Sequence, residues 1–284
     1  MLTEAQRAAR MRGLGSSDIS AVAGEHPYKN AHSVWLEKRG LVEPQEPTDA
    51  TWLGDQMEPI IARRYAQEMG VRIVPGPGTV AHPEHPWALA TTDYEHADGA
   101  RVVECKWVGM RPMAHWSMDA DGAPPYVVCQ MAWQMFVRGI DRSDCAVIFG
   151  ATAEFRIYEF TRDNGIIDAM FRIGQRFWQR VLDGEPPPID ETEEARQTLL
   201  ALYPTSYAPL KPAPPEAERW FQEHEAADEE VGRWTGRKKL AANKLREVIG
   251  DAVGIEGPFG RATWKSDKNG VRTLRTYPSK ERAA

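Results

Sequence analysis

No uninterrupted apolar run in the 284 residues approaches the roughly 20 needed to cross a bilayer. The opening stretch, MLTEAQRAARMRG, has none of the apolar core of a signal peptide. Both absences point to a cytoplasmic protein. Cysteine is scarce as well: Cys105, Cys129 and Cys145 are an odd number without metal-knuckle spacing. That argues against a disulfide framework and a structural zinc, and for small side chains buried in a reducing compartment. Internal repeats are missing, and there is no low-complexity tract beyond the prolines.

What is present suffices for a sizeable core, since 42% of the residues are hydrophobic. The net charge of -6 argues against a chain coated for nucleic acid, but the charge is unevenly spread. From Arg233 onward 13 Lys/Arg face 5 Asp/Glu, a balance of +8, against -14 for the rest. A basic tail beside an acidic body suits a polyanionic partner, and equally a solvated charged tail.

Two proline signals, DGEPPPIDETEEA and YAPLKPAPPEAE, interrupt the chain. They place a domain edge near residue 185, giving a core over 1–185, a proline-rich linker over 186–215 and an extension over 216–284. Within the core the pattern predicts a short helix at AHSVWLEKRG, stopped by Gly40, and a longer one from Asp49 to Gly70 in which Met57, Ile60, Ile61 and Tyr65 follow helical spacing. Strands are expected at VRIVPG, WALATTD and RVVECKWV, then a helix at PPYVVCQMAWQMFVRG, a strand pair at CAVIFG and EFRIYEFT, and a helix from Ile166 to Gly184. This order implies an α/β (α+β) fold, a central mixed sheet flanked by helices. The extension reads as a long polar helix, with Gly232 and Gly236 as candidate interruptions. A β-hairpin follows, turning at Asn269-Gly270, with Arg261 or Lys265 and Arg272 or Arg275 facing outward.

One stretch places acids where a strand is usually apolar. In TTDYEHADGARVVECKW, Val102, Glu104 and Lys106 share one strand face and Val103, Cys105 and Trp107 the other. The Asp-Gly turn can fold Asp93 back toward Glu104. Two carboxylates on adjacent strands are hard oxygen ligands of the kind Mg²⁺ takes, and Lys106 is placed to orient a water or stabilise developing charge. That is the logic of phosphodiester hydrolysis. The same spacing also describes an exposed ion pair on an edge strand. Glu58, near the apolar stripe of its helix, is another candidate acid or a boundary carboxylate. Tyr126, Gln130 and Gln134 lie on one helical face, where buried amides need partners, either in the core or at a phosphate.

RMRGLGSSDISAVAG, LGDQMEP, ALATTDYE, VVECKW and YVVCQMAWQM, in this order and spacing, resemble the YqaJ-type viral recombinase family. These are phage lambda exonuclease-like enzymes of the PD-(D/E)xK nuclease superfamily. The resemblance covers roughly residues 5–180, and Thr92 stands where the superfamily pattern has Pro. It implies a PD-(D/E)xK core in which Asp93, Glu104, Glu58 and the main-chain carbonyl of Cys105 hold Mg²⁺, with Mn²⁺ able to substitute. Lys106 would be the catalytic lysine and Gln130 the glutamine of the active-site helix. Arg10, Ser17 and Thr91 fall on positions that hold a 5′ phosphate, with Arg12 and Ser16 as alternatives; Ser16 or Ser17 could instead cap a helix. The activity implied is 5′ to 3′ digestion of linear duplex DNA, leaving 3′ overhangs for a single-strand annealing protein, in a homo-oligomer that some relatives form as a trimer. For the extension, with Trp264 and Tyr277, DNA contact, oligomerisation and partner docking are all open. An endonuclease or nickase of the same superfamily, or a catalytically silent DNA-binding or interaction module, are the alternatives.

Overall fold

The computed structural model describes residues 11–42, 48–113, 115–116, 122–206 and 210–279, with side chains for all of these but Arg111. The chain forms two compact units, residues 1–206 and 207–284. In the first, α1 (Ser16–Val22), α2 (Ala31–Lys38) and α3 (Asp49–Met69) precede three strands, β1 (Ile73–Ala81), β2 (Leu89–His96) and β3 (Val102–Val108). A single turn, α4 (Met110–Met113), leads to α5 (Pro125–Arg138), β4 (Arg142–Phe149), β5 (Glu154–Thr161), α6 (Asn164–Asp183) and α7 (Glu193–Leu202). The five strands form one mixed sheet in the order β1-β2-β3-β4-β5. Only β3 and β4 are parallel, and α5 lies in the crossover that a parallel pair requires.

Helices cover both sheet faces. Ile61 and Tyr65 of α3, fully buried, pack on Val103 and Ala146, with Met57 beside them. Large apolar side chains buried this way contribute roughly 1.5–3 kcal/mol each. Ile60, expected in the same stripe, is 48% exposed, because it lies about 100° around the helix from Ile61. On the opposite face, Val127 and Met131 of α5 meet Cys145 and Val147. Beyond α5, Trp133 joins Leu14, Ile19, Trp35 and Phe177 in a core shared with α1, α2 and α6. Gly13 permits the entry of α1, since a Cβ there would stand 2.1 Å from the Trp87 carbonyl oxygen. Leu14 can then exchange backbone hydrogen bonds with Trp87 and Leu89, tying the start of α1 to the start of β2.

The stretch 186–215, expected as a linker, contains a docked helix. Gly184 and the prolines after it end α6, and the Thr192 side chain, accepting from Ala195 N–H, begins α7. Buried His32 of α2 then bonds Thr198 Oγ1 at 3.2 Å and the Pro188 carbonyl at 3.0 Å. Proline spacing marks where helices stop but carries no information about such contacts. No helix of the described residues is long and apolar enough to cross a membrane.

The second unit holds α8 (Pro215–Ile249) and an antiparallel sheet of β6 (Gly254–Gly257), β7 (Gly260–Ser266) and β8 (Arg272–Pro278). Gly232 and Gly236 do not interrupt α8. The β7–β8 register places Lys265 across from Thr273 and Arg261 across from Tyr277. Arg272 does not face outward as a free cation: it donates to the Gly250 and Ala252 carbonyls and lies 3.7 Å from the Trp264 ring centroid. Arg272 thereby staples the hairpin to the end of α8.

Candidate active site

Between β2 and β3 the regular pairing comprises Tyr94–Val103 and Glu95–Val102. At the next position the Asp93 carboxylate takes over the role of a backbone acceptor: Cys105 N–H donates to Asp93 Oδ2 at 2.8 Å. A side-chain oxygen thus occupies the gap where the two strands part. Across this gap β3 presents Glu104 and Lys106 toward α5, while Cys105 and Trp107 join the cluster under α3.

Glu104 is 7% exposed in a mostly apolar strand, an arrangement that would be costly for a carboxylate without donors. Three are present. Lys106 Nζ donates to Oε1 at 3.0 Å, Gln130 Nε2 to Oε1 at 2.6 Å and Gln134 Nε2 to Oε2 at 2.8 Å. The one-turn spacing of the two glutamines sets both amides on a single carboxylate. Gln134 also reaches the Thr91 carbonyl at 3.3 Å, which ties α5 to β2 as well as β3.

Glu58, Asp93, Glu104, Cys105 and Lys106 line one open cavity of about 390 Å³, walled further by His26, Tyr28, Asp55 and Tyr126. Burial, then the neighbouring Glu104, pushes the Asp93 carboxyl well above the ordinary carboxylate range, and the Cys105 N–H only partly offsets this. Glu58 is raised by burial, Glu104 and Asp55. Burial disfavours the Lys106 ammonium, yet Glu104 and Asp93 outweigh it and raise its pKa, so Lys106 remains a cation at neutral pH. His26 is shifted the other way, by burial and by Lys29 and Lys106, and is neutral there.

Among the described residues no three His, Cys, Asp or Glu side chains form a ready-made metal cluster. The donor set nevertheless fits a hard divalent ion. Mg²⁺ uses one or two carboxylates and keeps several waters, and this cavity has crowded carboxylates and room for water. Asp93, Glu104 and Glu58 are the side chains that would hold it.

Of the residues read as a phosphate pocket, Ser17 and Thr91 do not line this cavity. Arg10 lies outside the described residues. Ser17 is half-buried on α1, and Thr91, two residues before Asp93, pairs its hydroxyl with Thr79 Oγ1 at 2.9 Å. Leu14 joins the elements that carry Ser17 and Thr91. Neither serine caps α1: the helix begins at Ser16, and Gly15 N–H donates to Asp18 Oδ2 at 3.0 Å. Gln134, expected with Gln130 to find a partner in the core or at a phosphate, is held on Glu104, and His26 was missed because its position in a loop has no periodic signal.

Residues 7–141 match the model of the YqaJ-like viral recombinase domain. This region is similar to the YqaJ-like viral recombinase domain. The match includes Glu58, Asp93, Glu104, Lys106, Gln130 and Gln134. Over 263 residues the chain is 26% identical to the uncharacterized protein YqaJ of Bacillus subtilis (strain 168), covering 90% of this chain and 81% of that protein. The fold is similar to that of the alkaline exonuclease LHK-Exo from Laribacter hongkongensis, at a TM-score of 0.55 and 20% identity over 64% of this chain and 94% of that one. LHK-Exo in complex with dAMP gives a TM-score of 0.54 at the same identity and coverage. The five-stranded mixed sheet and the helices around it thus share the fold of that alkaline exonuclease.

Proposed function

We propose that this protein is a divalent-metal-dependent deoxyribonuclease that digests linear duplex DNA from 5′ ends, leaving 3′ overhangs for strand annealing. The observation that carries the proposal is the joint placement of Asp93, Glu104, Glu58 and Lys106 around one open cavity within a YqaJ-like domain. When bound there, Mg²⁺, or Mn²⁺ in its place, supplies an acidified water and charge neutralisation at the phosphate.

The chain's own residues do the positioning. Gln130 and Gln134 hold both oxygens of Glu104, so its carboxylate is fixed before any ligand arrives. Cys105 N–H fixes Asp93 in the same way. Lys106 is held on Glu104 as an ammonium, which suits it to stabilising negative charge on a phosphate and unsuits it to removing a proton from water. Arg10, Ser17 and Thr91 are proposed to receive the terminal 5′ phosphate, an annealing protein to take up the overhang, and a homo-oligomer, trimeric in some relatives, to keep the enzyme on its substrate.

The experiment is digestion of a linear duplex labelled at one end or the other, in Mg²⁺, beside a covalently closed circle. Progressive loss from 5′ ends with the circle intact is expected. Cutting of the circle would make the protein an endonuclease, and binding of DNA without any product would make it a silent module.

A further inference from the structure

Helix α8 runs for 35 residues, about 52 Å at 1.5 Å per residue. Most helical stability in proteins comes from packing an apolar face, yet among the described residues Ile249 is the only buried position of α8. Trp220, Val231 and Trp234 are 62%, 64% and 62% exposed. These side chains are not scattered. Trp220, Ala227, Trp234, Ala241 and Val248 recur every seven residues, and Ala217, His224, Val231, Lys238 and Leu245 interleave with them at alternating steps of three and four. This is the heptad repeat of a coiled-coil seam, the first set at d and the second at a.

The charges decide what lies against it. The half of α8 before Arg233 has seven acidic residues and one Arg, and the half from Arg233 onward six basic residues and one Glu. At the g positions beside the seam stand Glu216, Glu223, Glu230, Arg237 and Lys244; at e stand Phe221, Asp228, Thr235, Ala242 and Ile249. A parallel pair would set g against e, placing Glu223 beside Asp228 with no opposite-charge contact anywhere along the helix. An antiparallel pair sets g against g. Glu223 then meets Lys244 of the other helix and Glu230 meets Arg237, each twice by symmetry. In that register the a position of one helix faces d of the other, so Val231 lies across from Trp234 and Trp220 across from Leu245. Arg237 already folds over the Trp234 ring, 4.5 Å from its centroid, as a g side chain covering a seam residue does.

We propose that α8 pairs with α8 of a second copy of this chain as an antiparallel two-stranded coiled coil. The seam supplies burial for the exposed tryptophans, and the reversed charge halves set the orientation. This pairing is independent of the nuclease proposal, because none of its residues lines the cavity.

The test uses the full chain. Two double variants, Glu223→Lys with Glu230→Lys and Arg237→Glu with Lys244→Glu, each leave the four paired g positions 223, 230, 237 and 244 with a single sign of charge. Sedimentation is expected to show self-association weakened roughly tenfold or more in either variant alone, and restored when the two are mixed. Unchanged association of both variants, or a wild-type chain that stays monomeric, overturns the proposal. Orientation is read by oxidative cross-linking: His224→Cys mixed with Ala241→Cys should link, and His224→Cys alone should not. Self-linking of His224→Cys would mean a parallel pair and would equally overturn it.

Discussion

Replacing Lys106 by Met keeps most of the side-chain length and removes the charge. In the structure this deletes one charge-assisted hydrogen bond to Glu104, at 3.0 Å, and leaves the two glutamine bonds in place. Glu104 is therefore weakened in its support without being stranded. A hydrogen bond to a charged group contributes about 2 kcal/mol, which in a unit of this size lowers Tm by roughly 4–8 °C. The effect on turnover should be larger. The ammonium is proposed to act on charge that develops at the phosphate, and loss of one such electrostatic contact costs about 10²–10³ in kcat. The assay is single-turnover release of nucleotides from a 5′-phosphorylated duplex at saturating Mg²⁺, with a melting curve on the same preparation. DNA affinity should fall far less than the rate. Because Lys106 stays protonated, its contribution should also be flat from pH 7 to 9. A variant with unchanged kcat, or a wild-type rate that rises through that range with Lys106 and not with Met, would refute the electrostatic role.

Asp93 should behave oppositely in stability. Burial and Glu104 raise its pKa, so above the ordinary carboxylate range the fold binds the proton more tightly than the unfolded chain and loses stability as pH rises through the raised pKa. Asp93→Asn should therefore abolish cleavage yet, in EDTA, melt higher than wild type at pH 8 and show little gain at pH 4; a lower Tm at pH 8 would contradict the charge crowding. Arg101→Ala removes the 2.8 Å partner of fully buried Asp144, which Tyr65 also contacts. Stranding that charge should cost about 3–5 kcal/mol of stability, measured by urea unfolding, and a loss under 1 kcal/mol would mean that water reaches Asp144. Arg10→Ala should slow digestion of 5′-phosphorylated ends more than of 5′-hydroxyl ends, and equal slowing would reassign Arg10 to general DNA contact.

Much of the first unit was legible because its elements are bounded by residues with one mechanical meaning. Gly40, Gly70 and Gly184 occupy the left-handed region where their helices end, and the alternation in VVECKW assigned Glu104 and Lys106 to one face and Cys105 to the other. Other features depend on contacts distant in sequence. Docking of α7 rests on His32, more than 150 residues upstream. The exposure of Ile60 follows from which arc of α3 meets the sheet, and Ile60 and Ile61 are equally apolar in sequence. Strand β6 is four residues long and rich in glycine, below the length at which alternation can be read. At the candidate site, the pairing of Asp93 with Glu104 could be argued from hairpin geometry. The convergence of Gln130 and Gln134 on one carboxylate needs the α5 crossover, and His26 enters the cavity from a loop with no pattern to announce it.

The central claim is that the Asp93–Glu104 cavity performs metal-dependent cleavage. The most direct measurement is the release of nucleotides from a 5′-phosphorylated linear duplex by wild type and by Glu104→Ala, each in Mg²⁺ and in EDTA, with circular dichroism confirming that both are folded. Release by wild type in Mg²⁺ alone is the expected result. Equal release by folded Glu104→Ala, or by wild type in EDTA, would contradict it.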